Sequence, residues 1–590
     1  MSINGTKQDE EHKESFNLAV IFRVFKYMLS YKKQIIAVIF CMILTLFSTV
    51  FVPMLIDRAI DVEIRNKNLK GLIITIVVAL VLCIIYLIME KTRTKIMAKV
   101  SNNVLMTIRD ELYTHIQTLS FSFFDSRPTG KIIARVIGDI NSLKDVIQST
   151  VTQLVPDILM VIVVFAVMII INPMLTLSAI AALPVIFIGM FFAEIIAHKK
   201  WQILRKKSSN ISAYVHENFS GIGVVQSFTA EKESREEFSQ IVDEHRIAFR
   251  NAVVIADLFS PTIEISWGIG TFLLYFIGIK VLHMGVDDIG TFTAFTIYLS
   301  MFWGPIRNLA SYYNKLVTNI SAAERVFDIM DTPAEIVDNP KAYELPTIDG
   351  KVSFENVSFA YPDEPESFVL HNVNFTINPG ETIALVGPTG AGKTTIVNLI
   401  SRFYNASQGK VLVDGHDVLD VTLNSLRKQM GVMTQDNFLF SGTVKDNIRY
   451  GRLDATDDEI IAAAKAVNAH SFIMALPKGY DTEISERGSR LSIGQRQLLA
   501  FARTMVSNPR ILILDEATSS IDTHTEILVQ QGIESLLKNR TSFVIAHRLS
   551  TIKNADRIFV IDDGGIVEAG SHFELMEKKG EYYKLYTSQF

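Results

Sequence analysis

The stretch GPTGAGKTT at residues 387–395 decides the fold of the C-terminal half of this 590-residue chain. It follows the apolar run ETIALV and precedes a helical pattern, so it joins a predicted strand to a predicted helix. Its glycines let backbone N–H groups curl around phosphate oxygens, while Lys393 bridges phosphates and Thr394 can ligate Mg²⁺. The residues predicted to hold a nucleotide are Gly387, Pro388, Thr389, Gly390, Ala391, Gly392, Lys393, Thr394 and Thr395.

The run RILILDEATSS at residues 510–520 supplies the acids that this loop lacks. Asp515 ends an apolar strand pattern and suits a Mg²⁺ site, whereas Glu516 suits a general base, or an orienter, for an attacking water. From Lys351 onward, short β-rich runs alternate with helical segments, which predicts an α/β domain with a buried sheet over 351–590. The two motifs together indicate a nucleotide hydrolase.

The composition of the N-terminal half indicates that this half is surrounded by lipid rather than by water. Hydrophobic residues make up 49% of the chain and charged residues only 20%, so part of it is expected in a membrane. At about 1.5 Å per residue, a charge-poor run of about twenty residues crosses a hydrocarbon core about 30 Å thick. Six such runs are present, at 34–56, 72–89, 146–171, 174–197, 258–279 and 289–306. We predict a cytosolic N-terminal segment 1–33, an α-helical six-span transmembrane domain 34–330, a linker 331–350 and the α/β domain.

Positive charge indicates the side of the membrane. The segments 90–145 and 198–256 each carry nine Lys or Arg, which places them in the cytosol together with both chain termini. Their helical pattern predicts membrane helices that continue into the cytosol and turn near 122–131 and 213–221. The stretch FNLAVIFRVFKYML (16–29) predicts an amphipathic helix along the membrane surface. The net charge of −5 leaves no basic excess that would favour nucleic acid as a partner.

The order of these features resembles the ATP-binding cassette (ABC) exporter family in its bacterial multidrug form, where each half-transporter joins six membrane helices to one nucleotide-binding domain. The turn LSIGQ at 491–495 matches the family signature, and the resemblance covers nearly the whole chain. It implies that ATP and Mg²⁺ are used and that hydrolysis drives transport by a dimer. It also implies that Ser492, Gly494 and Gln495 act on ATP bound to the opposite subunit.

Further positions match family motifs one by one. The resemblance implies that Tyr361 in FAYPDEP stacks on adenine and that Gln435 in VMTQDNFLF contacts Mg²⁺ and the attacking water. It implies that His547 in VIAHRLST contacts the γ-phosphate and that Asp522 in SSID lies in a loop crossing between two nucleotide domains. Glu486 in SERG matches the residue that touches the coupling turns. The candidate catalytic residues are thus Lys393, Gln435, Glu516 and His547, and the candidate Mg²⁺ ligands are Thr394, Gln435 and Asp515.

The signature departs from the commonest family pattern at Ile493, where Gly is usual. A neutral variant and membership of a heterodimer are both open. The SSID loop and the helix RQLLAFARTM look more like heterodimeric bacterial exporters than like lipid A flippases, so we favour a heterodimer over a homodimer. Because this chain keeps Glu516 and His547, it would supply the intact P-loop side of the competent site.

The substrate is expected to be a hydrophobic or amphiphilic drug. Acids within membrane spans are costly, so each should face the bundle interior or water. Glu264, together with Asp157, is predicted to favour cationic amphiphiles, with a structural hydrogen-bonding role as the alternative. Asp257 precedes Glu264 by seven residues and is expected on the same helical face, while Glu194 and Asp257 sit near span ends. A lipid or peptide exporter and a non-transporting regulator or sensor are the other functions considered.

Overall fold

The computed structural model describes residues 18–589 apart from 182, 258, 286–287, 435–436, 486–487, 489, 516–522 and 546–548. The chain forms two compact units. The first comprises Met1–Ile116 and Gly130–Asp331, and the second comprises Gln117–Thr129 and Thr332–Phe590. Most of the turn predicted at 122–131 therefore belongs to the same unit as the α/β domain.

Long helices make up the first unit, and one short helix of the second unit, α4, is inserted between them in the chain. In chain order the helices are α1 Leu18–Met28, α2 Lys32–Arg58, α3 Leu69–Thr118, α4 Phe121–Asp125, α5 Thr129–Ala134, α6 Ile140–Ser149, α7 Val155–Ile171, α8 Pro173–Ile180, α9 Leu183–Ser220, α10 Ile222–Ser227, α11 Glu231–Ala256, α12 Phe259–Lys280 and α13 Ile289–Asp331. π-Helical turns at Ala59–Ile64, Arg135–Asp139 and Thr150–Leu154 extend or join α2, α5, α6 and α7. Helices therefore coincide with the six predicted spans and with the predicted surface helix.

Within the described part of the chain, four helical stretches are long and apolar enough to cross a membrane: Ala19–Ile64, Leu69–Thr118, Thr129–Ile171 and Ile289–Ile306. The predicted fourth and fifth spans coincide with α8, α9 and α12, and each includes residues outside that part. Large apolar side chains such as Ile74, Leu87 and Ile170 are exposed on the long helices, as expected of surfaces that face lipid. The apolar core lies where α7, α8, α12 and α13 meet, around Val164, Leu175, Leu274, Phe295 and Tyr298.

Two local expectations about the cytosolic helices are wrong. The turn predicted at 213–221 lies at 221–230, because α9 stays helical through Ser220 and the chain reverses only through α10 and the left-handed Thr229 (φ 53°). Asp257 and Glu264 do not share a helix, since α11 ends at Ala256 and α12 begins at Phe259. Pro261 gives the physical reason, because it lacks the N–H that would donate to the carbonyl of residue 257 in a continuous helix.

The second unit is an α/β domain with two main sheets. Its strands are β1 Val352–Ala360, β2 Phe368–Ile377, β3 Thr382–Val386, β4 Gln408–Val413, β5 His416–Asp417, β6 Met430–Met433, β7 Gly442–Thr443, β8 Glu483–Ile484, β9 Ile511–Asp515, β10 Thr541–Ile545, β11 Arg557–Asp562 and β12 Gly565–Gly570. Its further helices are α14 Lys393–Ile400, α15 Leu423–Arg427, α16 Val444–Arg449, α17 Asp457–Ala466, α18 His470–Ala475, α19 Ile493–Ser507, α20 Thr523–Leu537, α21 Leu549–Lys553, α22 His572–Lys578 and α23 Glu581–Gln589. The order β2-β1-β4-β5 forms an antiparallel sheet, and β12-β11-β3-β10-β9-β6 forms a larger sheet that is parallel except for β12.

The larger sheet separates two apolar cores. Successive residues of β9 alternate between them, so that Ile513 belongs to the core on one face and Leu514 to the core on the other. The first core includes the antiparallel sheet and α14, through residues such as Ile396. The second includes α16, α17, α19 and α20, through residues such as Phe501. Helices α14 and α19 therefore lie on opposite faces of one sheet.

The segment predicted as a linker is packed on the second unit. Leu345 and Ile348 are 6% and 1% exposed and join the core that contains α14. Asp338 accepts a hydrogen bond from the Leu423 N–H at 2.8 Å, which ties the start of the segment to α15. Burial of these apolar side chains explains why the compact unit begins at Thr332, before the first strand.

Candidate nucleotide site and signature turn

Glycines shape the loop between β3 and α14. Gly387, Gly390 and Gly392 have φ angles of 149°, 89° and 103°, which L side chains rarely adopt. A Cβ atom on Gly387 would lie 2.1 Å from the Ile561 carbonyl oxygen, and one on Gly392 would lie 2.7 Å from Leu370 Cδ2. The loop therefore depends on glycine for both its backbone conformation and its close packing.

Lys393 is the first residue of α14, and its side chain folds back over the loop. Its Nζ donates to the carbonyl oxygens of Gly387 at 2.8 Å and Pro388 at 2.7 Å. Burial lowers the pKa of Lys393, and the negative charge of Asp515 opposes that shift. A bound phosphate would replace the two carbonyls as acceptor and add negative charge, so we expect nucleotide binding to raise the pKa of Lys393.

The order of the strands brings Asp515 to the edge of the sheet where the phosphate loop begins. Strands β3, β10, β9 and β6 are consecutive parallel neighbours, so their carboxyl ends meet at one edge of the sheet. The register pairs Ile545 of β10 with Leu385 of β3 and with Asp515 of β9. The phosphate loop follows β3, and Asp515 is the last residue of β9. These two strands lie roughly 10 Å apart, with β10 between them. The hydroxyl of Thr394, exposed at the start of α14, and the Asp515 carboxylate are oxygen ligands of the kind that Mg²⁺ prefers.

Five predicted functional residues lie outside the described residues: Gln435, Glu486, Glu516, Asp522 and His547. Along the chain, Gln435 comes two residues after β6, Glu516 directly after β9, and His547 two residues after β10. Those three strands end at the same edge as β3. The roles given to these side chains remain predictions.

Tyr361 comes directly after β1 and lies beside α14. Its hydroxyl is 3.0 Å from Thr395 Oγ1, and its ring meets that of Tyr404 edge-on with 5.2 Å between the centroids. Tyr361 lines a cavity of about 590 Å³ together with Ser367 and Val369. An aromatic ring thus stands next to the phosphate-loop helix, which is where the predicted contact with adenine requires one.

The same cavity is lined by residues 119–127, which the sequence did not assign to the site. Tyr404 is 4% exposed, and its hydroxyl donates to Asp125 Oδ2 at 2.8 Å. Burial and the hydrogen bond to Asp125 raise the pKa of Tyr404. Phe121 stacks on Phe403 with 5.3 Å between the ring centroids. Asp125 and Tyr404 are 279 residues apart in the chain, so no local pattern predicts their contact.

The signature turn caps helix α19. Ser492 Oγ accepts from the Gln495 N–H at 3.2 Å, and Gln495 Oε1 accepts from the Ser492 N–H at 3.0 Å. This capping box leaves the hydroxyl hydrogen of Ser492 able to donate to another acceptor. Gly494 is buried, whereas Ile493 is 42% exposed. The turn is thus a preformed helix N-terminus of the kind that binds anions.

Comparisons with known proteins agree with this arrangement. The sequence matches the ABC transporter transmembrane region over residues 35–306 and the ABC transporter domain over residues 370–519. It is 40% identical to the uncharacterized ABC transporter ATP-binding protein YknV of Bacillus subtilis (strain 168), over 99% of this chain and 96% of that protein. The chain belongs to the ABC transporter family. The expected fold, a helical transmembrane domain followed by an ABC ATPase domain, is confirmed.

Other relatives of this ABC exporter carry different names. It is 39% identical to the ATP-dependent lipid A-core flippase of Syntrophus aciditrophicus (strain SB), over 93% of this chain and 91% of that protein. It is 37% identical to a putative multidrug export ATP-binding/permease protein of Staphylococcus aureus (strain NCTC 8325 / PS 47), over 97% of this chain and all of that protein. A solved structure of a bacterial Atm1-family ABC exporter with ATP bound matches with a TM-score of 0.77 and 27% identity, over 95% of this chain and 98% of that chain. The exporter is a membrane protein with its ATPase domain on the cytosolic side, as expected.

The acids predicted to contact substrate lie on different helices in the transmembrane unit of this ABC exporter. Asp157 is half-buried on α7 and accepts a hydrogen bond from Asn308 Nδ2 at 3.2 Å. Glu264 is exposed on α12, and the described residues that line the cavity around Asp157 do not include it. Asp257 is exposed in the break between α11 and α12, and the side chain of Glu194 lies outside the described set. Among the described residues, Glu264 does not line the cavity around Asp157, and the joint role of these two acids in substrate binding stays a prediction.

Proposed function

We propose that this ABC exporter hydrolyses ATP to move hydrophobic or amphiphilic compounds, drugs in particular, out across the cytoplasmic membrane by alternating access. The glycine loop and Lys393 would bind the phosphates, and Tyr361 would stack on the adenine. Glu516 would activate the attacking water, with Gln435 and His547 orienting it and the γ-phosphate. Mg²⁺, held by the oxygens of Thr394 and Asp515, would neutralise charge on the phosphates.

The single observation that most supports a dimer of half-transporters is the placement of α14 and α19 on opposite faces of one sheet. Two layers of about 10 Å each then separate the phosphate-loop helix from the signature helix of the same chain. Ser492 and Gly494 are therefore poorly placed to touch nucleotide on their own P-loop. A second subunit that presents its signature to this P-loop would supply donors on the other side of the transferring phosphate.

We propose that the second subunit is a different chain. Ile493 is 42% exposed at the start of α19, so its side chain would meet the nucleotide or the partner's loop in a closed dimer. A β-branched side chain at this position leaves less room for the nucleotide than the usual glycine does. This favours a different partner chain, whose own signature would complete the competent site around Glu516 and His547 of this chain. Asp522, in the loop predicted to cross between the two nucleotide domains, would lie at the same interface.

The test is transport by the purified protein in vesicles. The chain is expressed alone and together with a second half-transporter of the same cell as candidate partner, and ATP-dependent movement of a fluorescent cationic dye is measured. We expect transport from the pair, and loss of both hydrolysis and transport in the matched Glu516→Gln variant. Full ATPase activity from a stable homodimer of this chain alone would contradict the heterodimer, and ATP binding without movement of any compound would favour the regulator or sensor.

A lipid is the strongest alternative substrate, because a relative 39% identical to this chain is named a lipid A-core flippase. A peptide is the other alternative within the exporter class. Stimulation of ATP hydrolysis across a panel of drugs, lipids and peptides separates the three. The role of the exposed Glu264 is tested in the same assay by Glu264→Gln, which would leave drug stimulation unchanged if that acid is structural.

A further inference from the structure

A polar cavity of about 200 Å³ lies inside the transmembrane unit. Side chains from α2, α3, α7 and α13 line it, as do residues of the π-helical turn before α7. The polar or ionisable ones that carry the argument are Thr45, Glu90, Arg93, Asp157, Asn308 and Tyr312. Glu90 and Asn308 come just after the predicted spans 72–89 and 289–306, at the ends that lead into the cytosol. The cavity therefore reaches from the cytosolic ends of these two spans to the middle of the spans 34–56 and 146–171, on the side from which a substrate would enter.

Arg93 is buried in the wall of this cavity, and the carboxylate of Glu90 balances its positive charge. It is 6% exposed, and its Nη2 donates to Glu90 Oε1 at 2.7 Å and to the Thr152 carbonyl at 3.2 Å. Its Nε is buried and has no hydrogen-bond partner among the described residues. A buried N–H without an acceptor is unfavourable by about 1–3 kcal/mol, so this atom would gain from an acceptor that the described residues do not supply.

Asp157 faces the same cavity, and no described residue forms an ion pair with it. Its carboxylate accepts from the Asn308 amide at 3.2 Å and from the Tyr312 hydroxyl, and both donors are neutral. Since Arg93 is matched by Glu90, the three charged groups among the described lining residues leave one negative charge in excess. At membrane depth this charge is weakly screened and favours a bound cation.

Arg93 and Asp157 both line this cavity. Arg93 donates to the carbonyl of Thr152 in the π-helical turn Thr150–Leu154, and Asp157 lies five residues further along, near the start of α7. The cavity is smaller than the roughly 300–1,000 Å³ of sites that enclose a drug-sized ligand. It can therefore hold a head group, while an apolar chain extends between the helices towards lipid.

We infer that this cavity is a head-group subsite for an ammonium-bearing amphiphile whose ammonium contacts Asp157 and whose neighbouring oxygen accepts from Arg93 Nε. The inference rests on the proposed export function and names its substrate class. The proposed subsite binds one cation in this cavity, through Asp157 of α7, and does not involve Glu264.

The experiment compares three twelve-carbon amphiphiles below their micelle concentrations, with the full-length protein in nanodiscs. Dodecylamine carries only the ammonium, N-dodecylethanolamine adds a hydroxyl oxygen, and dodecanoate is an anion. Binding is measured by thermal stabilisation without ATP, and stimulation of ATP hydrolysis is measured separately. We expect N-dodecylethanolamine to bind more tightly than dodecylamine, and dodecanoate not to bind.

Variants separate the two contacts. Asp157→Asn keeps the shape and should weaken binding of both amines about 10- to 100-fold, as loss of a charged hydrogen bond predicts. Arg93→Lys keeps the charge beside Glu90 but lacks the Nε donor, so it should remove only the advantage of the hydroxyl-bearing amine. Asp257→Asn makes the same chemical change at an exposed acid outside the cavity and should leave binding unchanged.

Equal amine binding by the unmodified protein and Asp157→Asn would overturn the inference, as would binding of dodecanoate as tight as that of dodecylamine. Retained melting temperature and ATP binding show that a variant is folded. If amines bind through Asp157 yet neither stimulate hydrolysis nor move across vesicles, the subsite stands and the proposed export function fails.

Discussion

Removal of one hydroxyl should loosen the cytosolic turn at residues 119–127. In the second unit, Tyr404 donates to Asp125 Oδ2 at 2.8 Å, and its hydroxyl is protonated at neutral pH, as for an ordinary tyrosine, with burial and this bond raising its pKa further. A hydrogen bond to a charged acceptor contributes about 1.5–3 kcal/mol. Asp125 is exposed and regains water when the bond is lost, which puts the expected cost of Tyr404→Phe at the lower limit, about 1.5 kcal/mol. The population of the turn that is released from the domain should therefore rise about tenfold.

Hydrogen exchange measures that population directly. Amides of residues 119–127 should exchange about tenfold faster in Tyr404→Phe than in the unmodified protein, because exchange follows local opening. Tyr343→Phe is the matched control, since it removes a hydroxyl that lies 2.8 Å from His416 Nδ1 elsewhere in the same unit. It should leave exchange in 119–127 unchanged. Asp125→Asn keeps an acceptor oxygen without the charge and should give a smaller acceleration.

Two results would refute this reasoning. Unchanged exchange of the turn in Tyr404→Phe would mean that the stacking of Phe121 on Phe403 and the other contacts of the segment hold it without this bond. Equal acceleration in Tyr343→Phe would mean that any lost hydroxyl loosens the whole domain. If the turn opens as expected, stimulation of ATP hydrolysis by substrate should fall while ATP binding is kept.

Other changes test the loop, the signature and the packed linker. Gly392→Ala forces a side chain into φ 103° at a strain of about 1–3 kcal/mol, and it should abolish binding of a fluorescent ATP analogue. Ser492→Ala and Ser571→Ala each remove the serine of a capping box, so both should lower stability by about 1 kcal/mol in denaturant titrations, but only Ser492→Ala should reduce ATP hydrolysis. Ile348→Ala should destabilise the second unit by about 2–5 kcal/mol, whereas the 58%-exposed Val337→Ala should change its melting temperature little.

Three local features of the structure differ from what the sequence patterns predict. The sequence predicts the turn after α9 too early, since α9 stays helical through Ser220 and the chain reverses only between Gly221 and the left-handed Thr229. Asp257 and Glu264 were placed on one helical face because periodicity alone does not register the break that Pro261 imposes. The packed state of 332–350 was missed because Pro, Asp and Gly mark irregular backbone equally well whether it is buried or free.

The sequence by itself determined the family, the helical spans and the nucleotide loop. Each of these is a local property: charge-poor runs long enough to cross a bilayer, and glycines at fixed spacing between a strand and a helix. Tertiary structure alone decided which distant residues meet. Strand order sets Asp515 beside a loop more than a hundred residues earlier, and the two faces of that sheet separate α14 from α19. Helix packing likewise brings Arg93, Asp157 and Asn308 to one cavity. These contacts depend on how whole elements pair and pack, which no short stretch of the chain encodes.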